Sequence, residues 1–195
     1  MKIETIIGSA LAPWLDPVAE LRTRVFRDYP YLYDGSAAYE RAYLETYLDC
    51  PESIVLLVFD DDTGTVVGAS TGLPMAAADA AFRAPFDSAG IDPAQVLYFG
   101  ESLLLPEYRG RGIGHRFFDL REQHAGKLGL PLTAFCAVDR PPDHPKRPDD
   151  YRPLDGFWTS RGYVKRAGLR AEFDWKEIGA GVESRHSLTF WLRGA

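Results

Sequence analysis

Residues 98–122, YFGESLLLPEYRGRGIGHRFFDLRE, constrain the chain more than any other stretch. An apolar run of strand character ends at Pro106, and a turn follows with glycines at 110, 112 and 114. Helical spacing of Ile113, Phe117, Leu120 and Leu128 begins inside that turn. Glycines let the backbone take positive φ and approach a ligand closely. Successive N–H groups at a helix start, aided by the helix dipole, favour a bound anion. Arg109 and Arg111 add positive charge at the same place. Strand, glycine turn and helix together predict a phosphate or pyrophosphate site from Arg109 to His115. It is not a Walker A loop, because no Lys-Ser or Lys-Thr follows the glycines. A Rossmann GxGxxG fails too: the third glycine would have to stand at His115 or at Phe117.

The rest of the chain limits where such a site can sit. At 195 residues the sequence suits one domain spanning 1–195, large enough to bury roughly 70% of its unfolded surface. Strand candidates at 2–7, 53–60, 65–74, 96–105, 131–138, 171–175 and 187–193 alternate with helices. One helix is expected to open with Asp16 as N-cap and Pro17 at its first position and to end near Tyr29, ahead of Pro30. Further helices are expected at about 37–48, 113–128 and 154–161; 75–95 reads as a loop or short helix, and proline-rich 140–153 as a surface loop. This order predicts an α/β fold with a mixed, mainly antiparallel sheet flanked by helices. The 28 acidic and 22 basic side chains leave a formal charge of −6, the wrong sign for a nucleic-acid binder. Two cysteines, 50 and 136, outside any CxxC pair, suit reduced thiols in the cytoplasm. No window approaches the ~18 apolar residues of a membrane span, and the start MKIETIIGSALAPW makes a poor signal peptide. Histidines 115, 124, 144 and 186 have no metal-ligand spacing, so no metal is expected.

What remains of the turn, Arg109-x-x-Gly112-x-Gly114 between a strand and an amphipathic helix, resembles the (Q/R)xxGx(G/A) acetyl-CoA motif of the GNAT superfamily of N-acetyltransferases. The element order resembles that fold as well. The resemblance implies a single N-acetyltransferase domain whose sheet splays at the cofactor site. It implies that the amides of Gly110, Arg111, Gly112, Ile113, Gly114 and His115 hold the cofactor's pyrophosphate, with Arg109 opening the motif. The pantetheine arm is then expected along the backbone of Ser102, Leu103 and Leu104.

Direct transfer from a thioester to an amine needs a proton acceptor, and Glu101, eight residues before Arg109, is the candidate base. The other reading of Glu101 is an acid paired with Arg22, Arg24 or Arg41. Many members of the superfamily carry a tyrosine four residues before the glycine of a YxxxGF segment, placed to protonate the departing thiolate. Here the matching stretch is Trp158-Thr-Ser-Arg-Gly162-Tyr163, and an indole cannot be a general acid. Tyr151, Tyr163, Cys136 or water are the substitutes, unless the step is not limiting. The resemblance places the acceptor pocket at Tyr29, Tyr31, Tyr33 and Asp34 and at the loop from Asp139 to Arg152, with Trp158 shaping it. The expected activity is acetylation of a primary amine on a small molecule by acetyl-CoA, with no nucleic-acid or membrane partner and room for a homodimer. Acetylation of a peptide N-terminus or protein lysine, or acyl-CoA binding without catalysis, are the competing readings.

Overall fold

In the computed structural model, which describes residues 1–194, alternating apolar residues build one eight-stranded sheet. The strands are β1 (Lys2–Ile7), β2 (Ile54–Phe59), β3 (Val66–Pro74), β4 (Val96–Tyr98), β5 (Ser102–Leu104), β6 (Leu132–Val138), β7 (Val164–Lys176) and β8 (Glu183–Arg193). The main path runs β1-β2-β3-β4-β6-β8-β7, with β5 paired to β3 beyond β4. Neighbours are antiparallel except β4 and β6. The expected mixed, mainly antiparallel α/β architecture is the one observed.

Helices cover both faces. α1 (Leu15–Phe26), α2 (Ala37–Leu48) and α3 (Ala80–Ser88) share a core with Val96, Tyr98, Ala134, Cys136 and Phe190. α4 (Ile113–Leu128) and α5 (Asp155–Ser160) bring Phe118, Ala125, Phe157 and Trp158 against Leu97, Phe99, Phe135 and Trp191. Consecutive residues of β4 and β6 thus serve opposite cores, as a pleated strand requires. β2, apolar at every position, is buried from Ile54 to Val58, as expected of a strand covered on both faces.

Several boundaries differ from the sequence expectation. α1 starts at Leu15, so Asp16 lies in its first turn rather than capping it, and its carboxylate accepts from Arg41 of α2 at 2.6 Å. That helix ends at Phe26, and Tyr31 and Leu32 then donate to the Asp28 carbonyl in the turn beyond. The stretch 75–95 contains a nine-residue helix, α3, capped by Asp79, which accepts from Ala81 N–H at 2.8 Å. β7 and β8 reach 13 and 11 residues, because backbone pairing carries the hairpin through positions whose side chains are polar and exposed.

The largest difference lies in the run 96–105, expected as one strand. β3 pairs Leu73 with Tyr98 and then Ser70 with Ser102, so Thr71 and Gly72 oppose three residues, Phe99, Gly100 and Glu101. This β-bulge shifts the alternation by one residue. A regular strand would turn Glu101 toward α4 along with Leu97 and Phe99. The bulge turns it toward α1.

Candidate active site

The bulge also ends the pairing of the two central strands. Phe99 N–H donates to the Ala134 carbonyl at 2.7 Å, after which β5 pairs with β3 and the rest of β6 with β8. A wedge opens between β5 and β6, as the fold expectation required.

On one side of the wedge lies the glycine turn. Gly112, the residue before α4, has φ +79°, and Gly110 has φ +74°, values that disfavour any residue with a Cβ. The first helical bond runs from Arg116 N–H to the Gly112 carbonyl at 3.3 Å. The amides of Ile113, Gly114 and His115 therefore precede the helix ladder and remain free to bind an anion. Gly110, Arg111, Gly112, Gly114 and His115 are exposed, whereas the Ile113 side chain anchors the turn in the core. Arg109 Nε donates to the Leu104 carbonyl at 3.0 Å, tying the turn back to β5. Arg111 donates to the Glu107 carbonyl at 3.1 Å beside the Tyr108 ring. Of the three expected arm-binding residues, Ser102 is exposed, Leu104 half-buried and Leu103 fully buried.

Ser102 also marks a residue that the motif does not reveal. Arg121 of α4, only 1% exposed, donates to the Ser102 hydroxyl at 3.0 Å and to the carbonyls of Thr71 and Glu101 at 3.2 Å each. Its guanidinium lies over the Phe99 ring, 4.1 Å from the centroid. Loss of hydration pushes its pKa down to about 10, which still leaves it charged at neutral pH. One buried cation thus clamps both sides of the bulge.

On the other side of the wedge, Glu101 meets α1. Its Oε2 is 2.6 Å from Arg22 Nη1, while Arg22 Nε donates to Glu40 Oε2 at 2.5 Å. All three side chains are nearly inaccessible. The pairing with Arg22 is one of the two sequence readings of Glu101; it engages one oxygen and leaves Glu101 Oε1 buried without a partner. Tyr43 covers Arg22, with 4.2 Å between ring centroid and guanidinium carbon, and its hydroxyl is 3.3 Å from that of Tyr47. Tyr47 crosses the backbone at Gly100, where a Cβ would lie 1.9 Å from its hydroxyl oxygen. Burial raises the pKa of Tyr31, Tyr43, Tyr47 and Tyr98, so these phenols stay neutral. Tyr43, Tyr47 and Tyr98 also line a half-open cavity of about 220 Å³ that continues past Leu73, Ala78 and Phe82.

The remaining candidates fall into separate places. Tyr31 packs on Phe26 at 4.6 Å, within the electrostatic reach of Glu101 and Arg22. Tyr33 is turned toward Glu40, folded back over Gly35, where a Cβ would meet its ring. Asp34 lies at the rim, with Lys176 at 3.1 Å and Arg27 at 3.4 Å. Trp158 belongs to the opposite core, against Phe135 and Trp191. Among the substitutes for the missing tyrosine, Tyr163 shares its hydroxyl with Thr133 and Glu122, and Tyr151 stacks edge-on with Tyr29. Cys136 Sγ is 3.4 Å from the Tyr98 hydroxyl, and burial pushes its thiol up to about 12.

The loop expected to line the pocket is tied to the segment after α1. Arg140 donates to the carbonyls of Pro30 and Tyr31 at 2.6 and 2.9 Å and is 2.6 Å from Glu177. Glu40 and Arg121 went unnoticed in the sequence, and Arg22 stood there only as one of three possible partners of Glu101, yet each occupies the apolar stripe of its helix, beside Val18 and Leu21, Leu44 and Tyr47, and Phe117 and Ala125. A lone charge on a buried stripe is the signal that finds them.

No helix is long and apolar enough to cross a membrane, and no cluster of metal-binding side chains occurs, among the described residues. A model of the acetyltransferase (GNAT) family matches residues 16–147. No curated protein matches the sequence. Solved structures do resemble the fold. The ribosomal-protein-alanine N-acetyltransferase of Brucella melitensis superposes with a TM-score of 0.61 at 14% identity, covering 100% of both chains. The PaiA N-acetyltransferase of Thermoplasma acidophilum, in complex with coenzyme A, gives 0.55 at 15% identity, again over 100% of both. An N-acetyltransferase from Staphylococcus aureus Mu50 gives 0.60 at 11% identity, over 100% of this chain and 99% of that one.

Proposed function

The chain belongs to the GNAT acetyltransferase family, and from that premise we propose that it transfers the acetyl group of acetyl-CoA directly to the primary amine of a small molecule. The observation that carries this reading is the bulge. It leaves a free anion-binding turn on one side of the wedge and aims the Glu101 carboxylate to the other.

In this reading the amides from Gly110 to His115, with Arg109 and Arg111 nearby, hold the pyrophosphate. The pantetheine arm follows Ser102, Leu103 and Leu104, and the thioester enters the wedge. The acceptor arrives as R–NH3⁺ and gives one proton to Glu101 Oε1. The freed lone pair attacks the thioester carbonyl, the C–N bond forms and the C–S bond breaks. A second proton passes from nitrogen to the departing thiolate, leaving R–NH–acetyl and coenzyme A. Water carries that proton, since burial pushes the phenols of Tyr31, Tyr43 and Tyr98 too high to give one up readily. Trp158 cannot, and Cys136, with its raised pKa, is a weaker acid than the thiolate needs. Arg140 draws the 139–152 loop over the segment after α1, which favours a small acceptor over an extended peptide. A cytoplasmic site of action fits the two cysteines, both buried and unbridged.

The test is an amine panel read by free coenzyme A release. Glu101→Gln should lower kcat/KM by ~10²–10⁴ while acetyl-CoA still binds, and the loss should shrink at high pH, where the amine is already neutral. Wild-type kinetics in that variant at neutral pH would return Glu101 to a structural role.

A further inference from the structure

We propose that Arg22, Glu40 and Glu101 form a receptor for an ammonium ion, and that the acceptor is an alkyl or aralkyl amine with no carboxylate next to its nitrogen. The inference rests on the acetyl-transfer reading for the reaction but on its own observations for the ligand.

The first observation is charge. One guanidinium stands between two carboxylates, with Arg22 to Glu40 at 2.5 Å and Arg22 to Glu101 at 2.6 Å. The formal sum is −1, in a place where the side chains of Glu40 and Glu101 are 1% and 4% exposed. Arg121, which donates to the Glu101 carbonyl, offsets part of that charge, and what is left at such depth is costly. The second observation is hydrogen bonding. Glu101 Oε1 and Glu40 Oε1 are buried without a well-formed hydrogen bond, the Tyr33 phenol being the group turned toward Glu40. The trio therefore keeps an excess of negative charge and two acceptor oxygens without donors, while Arg22 Nη1 is itself buried without a well-directed hydrogen bond. A primary ammonium supplies one charge and three N–H donors.

The third observation is what surrounds the trio. Tyr43 flanks Arg22 and also lines the 220 Å³ cavity with Tyr47, Tyr98, Leu73 and Phe82. Neutral rings can face a cation and receive an apolar tail. A carboxylate bonded next to the nitrogen would be carried into the same buried negative charge, which disfavours α-amino acids and their kin. Acetylation itself turns the ammonium into a neutral amide, so the product loses the charge that held it and leaves.

The test uses 2-phenylethylamine titrated calorimetrically into the protein with and without coenzyme A. Two controls accompany it: 2-phenylethanol, of similar shape without charge, and phenylalanine, which adds the carboxylate. The amine should bind at least about 10-fold more tightly than either control. Glu40→Gln should weaken it by about 10-fold or more and leave acetyl-CoA affinity unchanged. Equal binding of alcohol or amino acid, unaltered amine affinity in Glu40→Gln, or no amine binding at millimolar concentration each overturns the receptor. If Glu40→Gln does not fold, the three ligands on the wild-type protein decide. Amine bound selectively but never acetylated defeats the transfer reading and leaves the receptor standing. Amine acetylated equally well by Glu40→Gln does the reverse.

Discussion

Trp158 stands where the superfamily's tyrosine is expected, and its surroundings explain how an indole can serve there. Its ring fills the space between Phe135 of β6 and Trp191 of β8, at 5.0 and 5.1 Å. It is therefore a packing element beside the wedge, and Trp158→Phe should keep most of the turnover. Trp158→Ala should cost about 2 kcal/mol of stability in a denaturant titration, since the ring is only half-buried. Trp158→Tyr restores a hydroxyl, so a faster enzyme would mean that proton delivery limits the native one. A Phe variant that folds and binds acetyl-CoA but loses turnover 10³-fold would show that the indole N–H is needed after all. At this scale the sequence was half legible. Glu101 was found through its place on the strand eight residues before Arg109 and the resemblance to the superfamily. Its partner Arg22 was one of three arginines the sequence offered, and the structure selects it; Glu40 was missed, because it reads as one more charge on an amphipathic helix.

Two helices were legible almost to the residue, α2 and α4 beginning and ending where the sequence places them, whereas α1, with the plainest start signal, begins at Leu15, ahead of its expected cap. The bulge was not, because a β-run with one extra residue has the same composition as a regular strand. Only the partner strand reveals the count. A second contact between elements, invisible for the same reason, braces the glycine turn. Asp60, at the end of β2, accepts from Thr63 N–H at 2.9 Å and from the Tyr108 hydroxyl at 2.8 Å, just ahead of the glycines. These donors, the Thr63 amide first, lower its carboxyl from 3.8 to about 2. A carboxylate depressed in the folded state stabilises above its unfolded pKa and loses that contribution as pH falls toward the folded one. Between about pH 4 and pH 2 the wild-type protein should therefore lose stability more steeply than Asp60→Asn. Parallel denaturant titrations at both ends of that window check it; equal slopes would mean that the brace contributes nothing.

Over the whole molecule, α4 and α5 lie on the face of the sheet that carries the glycine turn and α1 to α3 on the face that Glu101 meets, with the wedge between β5 and β6 joining the two. Binding at the glycine turn is then a thermodynamic load on the entire fold. Acetyl-CoA at 100 times its dissociation constant should stabilise the protein by ~2.7 kcal/mol, a rise in Tm of roughly 5–10 °C for a domain of this size. Gly112→Val should remove most of that rise, because φ +79° suits no β-branched residue. Its Cβ would meet no atom, so the protein should still fold; an unchanged thermal shift would place the cofactor elsewhere. The sheet as a whole also trades regularity for chemistry. Deleting a single codon between Tyr98 and Ser102 would let β3 pair without interruption from Gly68 to Pro74. Such a deletion would keep Ser102 opposite Ser70 and Leu103 opposite Ala69, so every later side chain would still address its present layer. In an unbroken ladder of the present sequence, by contrast, Glu101 would stand opposite Ser70 and turn to α4, and Arg22 would be left with Glu40 alone; the surplus residue decides which helix the carboxylate meets.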